Sequence, residues 1–270
     1  MATVDTASLA EMARLGGAEA RAQIRAGRWR RPTAGVAAGW VQANLVVVPE
    51  AYADSFREFC TRNPRPCPLL DVTDTGSAEP RHVAPGADLR TDIPRYRVYR
   101  DGSLTAEVHT LAEVWERTLV GFLLGCSFSF ERALADAGIP LRHIELGRNV
   151  AMYRTSRPCE PAGPFHGPLV VSMRPIPDDL VAETVRVTRR FPQAHGAPIH
   201  IGDPTVLGIT NLDQPDYGDA LPIGPGESPV FWACGVTPQA AAEAARLPLM
   251  ITHAPGHMFI TDLRDDSSVP

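Results

Sequence analysis

The sequence predicts an α/β protein with an internally duplicated core domain, and three observations support this prediction. The chain has 270 residues, of which 44% are hydrophobic and 21% charged, an ordinary composition for a globular protein. Apolar runs typical of buried strands alternate with segments of helical periodicity. Two stretches, 119–155 and 229–262, repeat the same landmarks in the same order. We therefore expect a discontinuous core of two βαβ units, residues 1–155 and 226–270, with residues 156–225 inserted as a smaller α+β lobe.

Start and stop signals predict the individual elements. Residues 5–26 are expected to form one or two helices, because Ser8 and Glu11 have the spacing of a capping box. The apolar run 41–48 predicts a buried strand, and helical spacing predicts a helix after Pro49. The later elements predicted are strands at 69–72, 169–174, 199–202 and 206–211, a hairpin at 95–109, and helices at 110–118 and 178–190.

The duplication is predicted from a cysteine, a hydroxyl residue and a proline at matched spacing. In the first stretch the apolar run 120–124 precedes Cys126, Ser129 follows as a helix cap, and a second strand reaches His143. In the second stretch the landmarks are Cys234, Thr237 and a second strand that reaches His253. The hydroxyl residue follows the cysteine by three residues, and a proline follows it by fourteen, in both stretches.

Composition excludes several classes of function. All 26 basic residues are arginine, so no lysine exists to form a Schiff base or to serve a phosphate-binding loop. A net charge of −5 argues against nucleic acid as a partner. No apolar run is long enough to span a membrane, and five cysteines without a CxxC pair fit a reducing cytoplasm. We expect no organic cofactor, and we leave a divalent metal and homo-oligomerisation open.

Cys126 and Cys234 are the main catalytic candidates. Each is predicted at the carboxyl end of a strand and the start of a helix, where the helix dipole can lower the pKa of a thiol to about 3.5–7.5. The alternative is a pair of small apolar residues packed in tight turns. Ser127 stands in a partial nucleophile-elbow pattern, a weaker indication of a serine hydrolase.

Histidines and one aspartate are candidates for moving protons. His253 and His257 are four residues apart, but Pro255-Gly256 between them would break a helix, so a shared metal is not implied. The segment from His195 to Asp203 is polar and rich in turn residues, and its side chains could face a cleft between lobes. The alternative for these histidines is a structural hydrogen bond to the backbone.

Four arginines are candidates for binding a substrate carboxylate. Arg95 and Arg97 would share one face of a strand, where two guanidinium groups could grip a carboxylate. Arg154 and Arg174 lie in other strand-like segments. The alternative for all four is a salt bridge at the protein surface.

Many segments of this chain resemble the D-glutamate cyclase-like hydro-lyase family. The resemblance covers nearly the whole chain from Gly39 onward. The segments that carry it include 41–45, 62–70, 90–102, 125–131, 152–155, 171–175, 190–192, 195–204, 231–239 and 251–262. It implies two α/β lobes and, in the best-known related activity, closure of D-glutamate to 5-oxo-D-proline with loss of water. It supplies no catalytic set that could be transferred residue by residue.

The sequence therefore predicts a cofactor-independent hydro-lyase for a small amino or hydroxy acid. The cysteine turns would supply a thiolate or backbone N–H groups near the carbonyl that loses oxygen. Two alternatives stay open. One is an amino-acid racemase or epimerase that uses the two cysteines as opposed bases, and the other is a non-catalytic protein that binds a small acid.

Overall fold

The computed structural model describes residues 6–265, which form two antiparallel sheets with helices packed on them. The predicted mixture of helices and strands is thus confirmed. The βαβ units are not confirmed, because such units pair parallel strands and every strand pair in this part of the chain is antiparallel. Residues 1–5 and 266–270 of the predicted core domain lie outside the described residues.

The described residues contain eleven strands and seven α-helices. The helices are α1 (Leu9–Met12), α2 (Gly17–Arg25), α3 (Glu50–Arg62), α4 (Phe128–Asp136), α5 (Arg142–Glu145), α6 (Val181–Thr188) and α7 (Thr237–Ala245). The strands are β1 (Trp40–Pro49), β2 (Leu69–Val72), β3 (Tyr96–Arg100), β4 (Ser103–Val108), β5 (Leu119–Gly125), β6 (Ala151–Pro158), β7 (Pro168–Pro177), β8 (His200–Ile201), β9 (Glu227–Ala233), β10 (Met250–His253) and β11 (Phe259–Arg264). None of these helices is long and apolar enough to cross a membrane.

Strand β1 lies at the centre of the larger sheet, whose order is β2-β5-β1-β10-β3-β4. Its β-branched residues favour a strand, and eight of its ten residues are buried. Two strands share one of its edges: β10 pairs with Val46 and Val47, and β11 pairs with Gln42 and Ala43. The loop that joins β10 to β11 therefore passes beside the middle of β1.

The smaller sheet has the order β6-β7-β9-β8. Strand β6 begins before the predicted lobe of residues 156–225, and strand β9 lies entirely after it. The sheets are connected twice: the chain passes from β5 through α4 and α5 to β6, and returns from β9 through α7 to β10. The division into a core domain and an inserted lobe stays a prediction.

Both duplicated stretches begin with a strand, a cysteine and a helix, and they differ after that helix. The predicted strand that reaches His143 is wrong, because Arg142–Glu145 is a helical turn, whereas Met250–His253 is a strand. The helical turn places the buried Nε2 of His143 2.9 Å from Glu131 of α4. The superposition of the two stretches stays a prediction.

Two further predicted elements are wrong. Residues 110–118 form turns instead of a helix, and the indole of Trp115 donates to the Gly76 carbonyl at 3.1 Å, which ties the segment to another loop. The strand predicted at 206–211 is replaced by a 3₁₀ helix, Pro204–Leu207, which Asp203 caps. The capping box at Ser8 and the hairpin of β3 and β4 are confirmed.

Candidate active site

The two cysteine turns meet at a small cavity between the sheets. Cys126 follows β5 of the larger sheet and Cys234 follows β9 of the smaller sheet. The cavity has a volume of about 20 Å³, and both cysteines, Asn44, His195 and His253 are among the residues that line it. This volume is sufficient for about one water molecule. The structure thus brings together three of the predicted catalytic residues, Cys126, Cys234 and His253.

Equivalent hydrogen bonds shape the two turns. The thiol sulfur of Cys126 accepts the N–H of Phe128, and the thiol sulfur of Cys234 accepts the N–H of Val236. The carbonyl of each cysteine accepts the N–H three residues further on, at 3.0 Å in both turns. Helices α4 and α7 begin within these turns, so the positive ends of two helix dipoles lie at the same cavity.

The hydroxyl residue found three positions after each cysteine has a structural role that differs from the expected helix cap. Ser129 lies inside α4, and its Oγ accepts the N–H of Gln42 on β1 at 3.0 Å. Thr237 is the first residue of α7, and its Oγ1 accepts the N–H of Val170 on β7 at 3.0 Å. Each hydroxyl therefore fixes its turn to the strand beside it.

The predicted lowering of the thiol pKa values is wrong. Burial raises the pKa of Cys126 to about 12 and that of Cys234 to about 11, although a backbone N–H lowers each. Cys126 and Cys234 are only 7% and 8% exposed, so little water remains to solvate a thiolate. Both thiols are therefore neutral at neutral pH in this closed arrangement.

His195 lines the cavity with a neutral ring whose tautomer is fixed by one hydrogen bond. Its Nδ1 lies 2.8 Å from the carbonyl of Arg65 and must donate to it, so in the neutral ring Nε2 is the unprotonated nitrogen. Burial lowers the pKa of His195 to about 4, which keeps the ring neutral. The residue adopts a left-handed backbone conformation, with φ of 77°, at the end of a 3₁₀ turn. Such a ring can act as a general base.

His253 has the opposite hydrogen-bonding character. Leu45 lies where β10 leaves β1, and its backbone N–H donates to Nδ1 of His253 at 3.1 Å, while the Leu45 carbonyl is farther away at 3.3 Å. The proton is therefore on Nε2, which has no hydrogen-bond partner among the described residues. Burial lowers the pKa of His253 to about 4. A neutral imidazole N–H is thus available to a ligand in the cavity.

Asn44 and a glycine hold the two turns in contact. The side-chain amide of Asn44 donates to the carbonyl of Gly125 at 2.7 Å. A Cβ atom at Gly235 would lie 2.0 Å from Nδ2 of Asn44, so the second turn has no room for a side chain there. Ser127 occupies the equivalent place in the first turn, and its hydroxyl lies 3.1 Å from Arg174. The hydroxyl thus accepts a hydrogen bond from a guanidinium, and within residues 6–265 no histidine is hydrogen-bonded to it.

Two predicted proton-transfer residues are not among the cavity-lining residues. Asp203 is exposed, and its carboxylate accepts the N–H and hydroxyl of Thr205. His257 is buried beside the cavity loop, and its Nδ1 lies 3.0 Å from the carbonyl of Pro255. These contacts agree with structural roles.

None of the four predicted carboxylate-binding arginines is among the residues that line the cavity. Arg95 and Arg97 both face Glu107 of β4, at 3.9 and 2.7 Å. Arg154 is paired with Glu243 at 3.0 Å, and Arg174 is buried behind Ser127. Strand spacing identified the shared face of the first two arginines but not their acidic partner.

Sequence reasoning missed Asn44 and did not single out His195. Asn44 was detectable in principle, because a polar residue interrupts the apolar run of β1. His195 lies 69 residues from Cys126 in the chain (195 − 126), and only the packing of the smaller sheet brings it to the cavity. Within residues 6–265, no group of three or more His, Cys, Asp or Glu side chains is arranged to hold a metal.

Comparison with known proteins identifies the family. Residues 120–262 match the family model described as D-glutamate cyclase. The chain belongs to this family. The match includes both cysteine turns, His195 and His253, so the residues of the cavity lie almost entirely within it.

Curated relatives of this D-glutamate cyclase family member are similar over nearly their full length. Proteins named "Putative hydro-lyase" from Geobacillus kaustophilus and Rubrobacter xylanophilus are 61% and 62% identical. The matches cover 92% and 93% of this chain and 94% and 96% of the relatives. A relative of the same description from Bacillus subtilis is 57% identical, covering 92% of this chain and 97% of its own. The assignment to an enzyme family of hydro-lyase type is confirmed, and the racemase alternative has no support.

A search of solved structures gave a much weaker likeness. A nitrogen repressor-like protein from Methanococcus jannaschii superposes with a TM-score of 0.39 and 9% sequence identity, over 90% of this chain and 97% of that one. A likeness at this level does not assign the fold.

Proposed function

We propose that the protein closes D-glutamate to 5-oxo-D-proline with loss of water, in the cavity between the two cysteine turns. One observation carries this proposal within the family: two buried, neutral imidazoles of opposite hydrogen-bonding character line one cavity at two helix N-termini. This combination offers a base, a hydrogen-bond donor and a site for negative charge, which are the three requirements of amide formation from an amine and a carboxylate.

The reaction transfers two protons from nitrogen to oxygen. The substrate amine must lose a proton to become nucleophilic, and Nε2 of His195 is the group that would accept it. The amine nitrogen then bonds to the γ-carboxyl carbon, and one carbon–oxygen bond breaks. The leaving oxygen takes the proton from His195, and a second proton follows the same route, so that water is released. A carboxylate in the cavity would raise the pKa of His195 above its value of about 4 and make it a stronger base.

Negative charge on the reacting carboxyl would be stabilised by the turns themselves. Nε2–H of His253 has no hydrogen-bond partner in the described part of the chain and can donate to the oxygen on which charge develops. The starts of α4 and α7 contribute backbone N–H groups and positive dipole ends. In this proposal the two cysteines shape the turns, and their thiolates take no part in the chemistry. The overall conversion involves no change in oxidation state, so it requires no organic redox cofactor.

The cavity must enlarge to admit the substrate. A volume of about 20 Å³ holds about one water, whereas glutamate has ten non-hydrogen atoms. The walls come from both sheets, so a small separation of the cysteine turns would open it. Closure after binding would exclude water, which would otherwise favour hydrolysis of the product.

The direct test incubates the purified protein with D-glutamate and with L-glutamate and measures 5-oxoproline and its chirality by chromatography. We expect turnover of the D isomer, and a loss of about 10²–10⁴-fold in His195→Asn. Asparagine tolerates the left-handed backbone and keeps a donor for the Arg65 carbonyl, but it lacks Nε2.

His200→Asn is the matched control, because His200 is in the same segment and its Nε2 lies beside the Asp203 carbonyl instead of the cavity. We expect this variant to keep near-normal turnover. Binding of D-glutamate without turnover, or release of glutamate of inverted chirality without loss of water, would contradict the proposal.

A further inference from the structure

A buried ion pair lies directly behind the Cys126 turn. Nη2 of Arg174 on β7 lies 2.6 Å from Oε1 of Glu131 on α4 and 3.1 Å from Oγ of Ser127. Arg174 is 1% exposed and Glu131 is 4% exposed. The same Oε1 lies 2.9 Å from Nε2 of His143. Ser127 lines the cavity, so a single hydroxyl separates the guanidinium from the site.

The pair is charged and lies against two aromatic rings. Burial alone would raise the pKa of Glu131, but the nearby His143 and Arg174 outweigh it and lower that pKa to about 2. The guanidinium stacks on the rings of Phe130 and Trp232, at 5.3 and 5.4 Å from their centroids. Its Nε has no hydrogen-bond partner among the described residues. Burying such a pair costs solvation energy that a salt bridge alone seldom recovers, so a role beyond stability is indicated.

The pair acts unequally on the two sides of the cavity. Burial raises the pKa of both thiols. The positive charge of Arg174 lowers the pKa of Cys126 and that of Cys234 alike. At Cys126 the carboxylate of Glu131 opposes the guanidinium. Burial and Arg174 both lower the pKa of His195, which keeps its lone pair free. The geometry agrees with these directions: Glu131 belongs to α4, the helix that follows Cys126, whereas the guanidinium lies against Trp232 of β9, the strand that leads to Cys234. The positive end of the pair is therefore on the Cys234 side of the cavity.

We propose that Arg174 is a positioning residue of this site, although it is not among the cavity-lining residues. It fixes the Cys126 turn through Ser127, and it supplies positive potential on the Cys234 side, where negative charge of the substrate carboxyl would develop. This inference rests on the proposed function for the role of that charge. The potential itself can be measured without turnover, because it also favours the anionic form of the Cys234 thiol.

The experiment compares the rates at which iodoacetamide modifies Cys234 and Cys126, followed by mass spectrometry of the corresponding peptides. Both thiols line the same cavity, so motions that open the whole cavity affect them together. Ser127→Ala releases the Cys126 turn but keeps both charges, and it shows how much of a change in the ratio comes from the turn instead of from charge. The test variant is Arg174→Gln with Glu131→Gln, which removes both charges of the ion pair together. We expect the Cys234 to Cys126 ratio to fall about three- to tenfold, which corresponds to half to one pKa unit.

Arg174→Lys is the rescue variant, because it keeps a cation beside Glu131. We expect it to retain a ratio within about twofold of the parent protein. We expect kcat to fall, because the lysine side chain is shorter and its ammonium does not reach the place of Nη2, which contacts both Ser127 and Glu131. Cys159 lies in another core cluster and serves as the reference thiol. Thermal melting establishes that each variant is folded.

The two proposals can fail separately. If the parent protein forms no 5-oxoproline but the double variant has an altered Cys234 to Cys126 ratio, the proposed reaction is overturned and the charge asymmetry is supported. Normal kcat together with an unchanged ratio in the folded double variant would overturn the role of Arg174. If the double variant does not fold, Ser127→Ala tests the contact between Arg174 and Ser127. An unchanged Cys234 to Cys126 ratio with a decreased kcat in this variant would support the positioning role. A normal kcat in this variant would contradict that role.

Discussion

The thiols of Cys126 and Cys234 occupy helix starts, the positions at which cysteines are most often activated, and yet both are neutral. Two effects compete at these positions. A helix N-terminus stabilises an anion by about 0.3–1 kcal/mol when exposed, up to about 2 in favourable cases, whereas full burial can shift a pKa by several units. Burial prevails here, with pKa values of about 12 and 11. The helix dipoles remain available to a substrate anion, which can displace the cavity water as it enters.

This competition predicts the outcome of serine substitution. Cys126→Ser and Cys234→Ser keep the turn geometry and the backbone N–H groups, so we expect each to retain turnover within about tenfold. Removal of a thiolate catalyst would instead cost about 10²–10⁴-fold. Steady-state kinetics on D-glutamate measures the effect, and Cys159→Ser, in a different core cluster, is the control. A loss of a hundredfold or more in a folded variant would restore the thiolate role.

At the scale of elements, each cysteine turn is fixed to a neighbouring strand by one hydroxyl. Ser129 and Thr237 accept a strand N–H at 3.0 Å, and each is also 3.3 Å from the carbonyl of the same strand residue. The strands concerned, β1 and β7, are interior members of their sheets. The positions of helices α4 and α7 over the two sheets are therefore set by side chains inside the helices, in addition to apolar packing.

These hydroxyls are expected to be important for stability. Ser129→Ala and Thr237→Val each leave a buried strand N–H without an acceptor, which should lower the free energy of unfolding by about 1–3 kcal/mol. Thr205→Val is the control, since its hydroxyl bonds an exposed Asp203 and should change stability by less than about 0.5 kcal/mol. Urea denaturation measures all three. Equal stabilities of the three variants would show that apolar packing alone positions the helices.

At the scale of the whole molecule, the site is a closed junction between two sheets that carries two buried neutral histidines. His195 and His253 are 2% and 1% exposed, and burial lowers both pKa values from 6.5 to about 4. Between about pH 6.5 and about pH 4, these residues therefore bind protons more readily in the unfolded chain than in the folded chain. Their contribution to stability is complete above about pH 6.5 and is lost as the pH falls toward about 4.

The free energy of unfolding should accordingly decrease between about pH 7 and about pH 5 by roughly 2 kcal/mol for each histidine. Urea denaturation at the two pH values should show a smaller decrease in His195→Asn than in the parent protein. The exposed residue His82 provides the control, and His82→Asn should leave the decrease unchanged. An equal pH dependence in all three proteins would mean that His195 is not held neutral by burial.

The sequence alone determined most elements with strong local signals and the cysteine turns. The β-branched run of β1, the capping box at Ser8 and the hairpin at Asp101-Gly102 could be predicted because each depends on residues within a few positions. It also determined the family resemblance. Short segments with weak local preference, such as Arg142–Glu145, could not be predicted, because a distant contact with Glu131 influences their conformation.

Only the tertiary structure decided which candidates meet and in what chemical state. It brought Cys126, Cys234 and His253 to one cavity with His195, and it paired the predicted carboxylate-binding arginines with acidic residues instead. Strand direction was also a tertiary outcome, since an apolar run fits a parallel or an antiparallel neighbour equally well. The pKa of a group depends on burial and on charges that are remote in sequence. For this reason the helix-start cysteines are neutral, and the catalytic groups proposed are histidines.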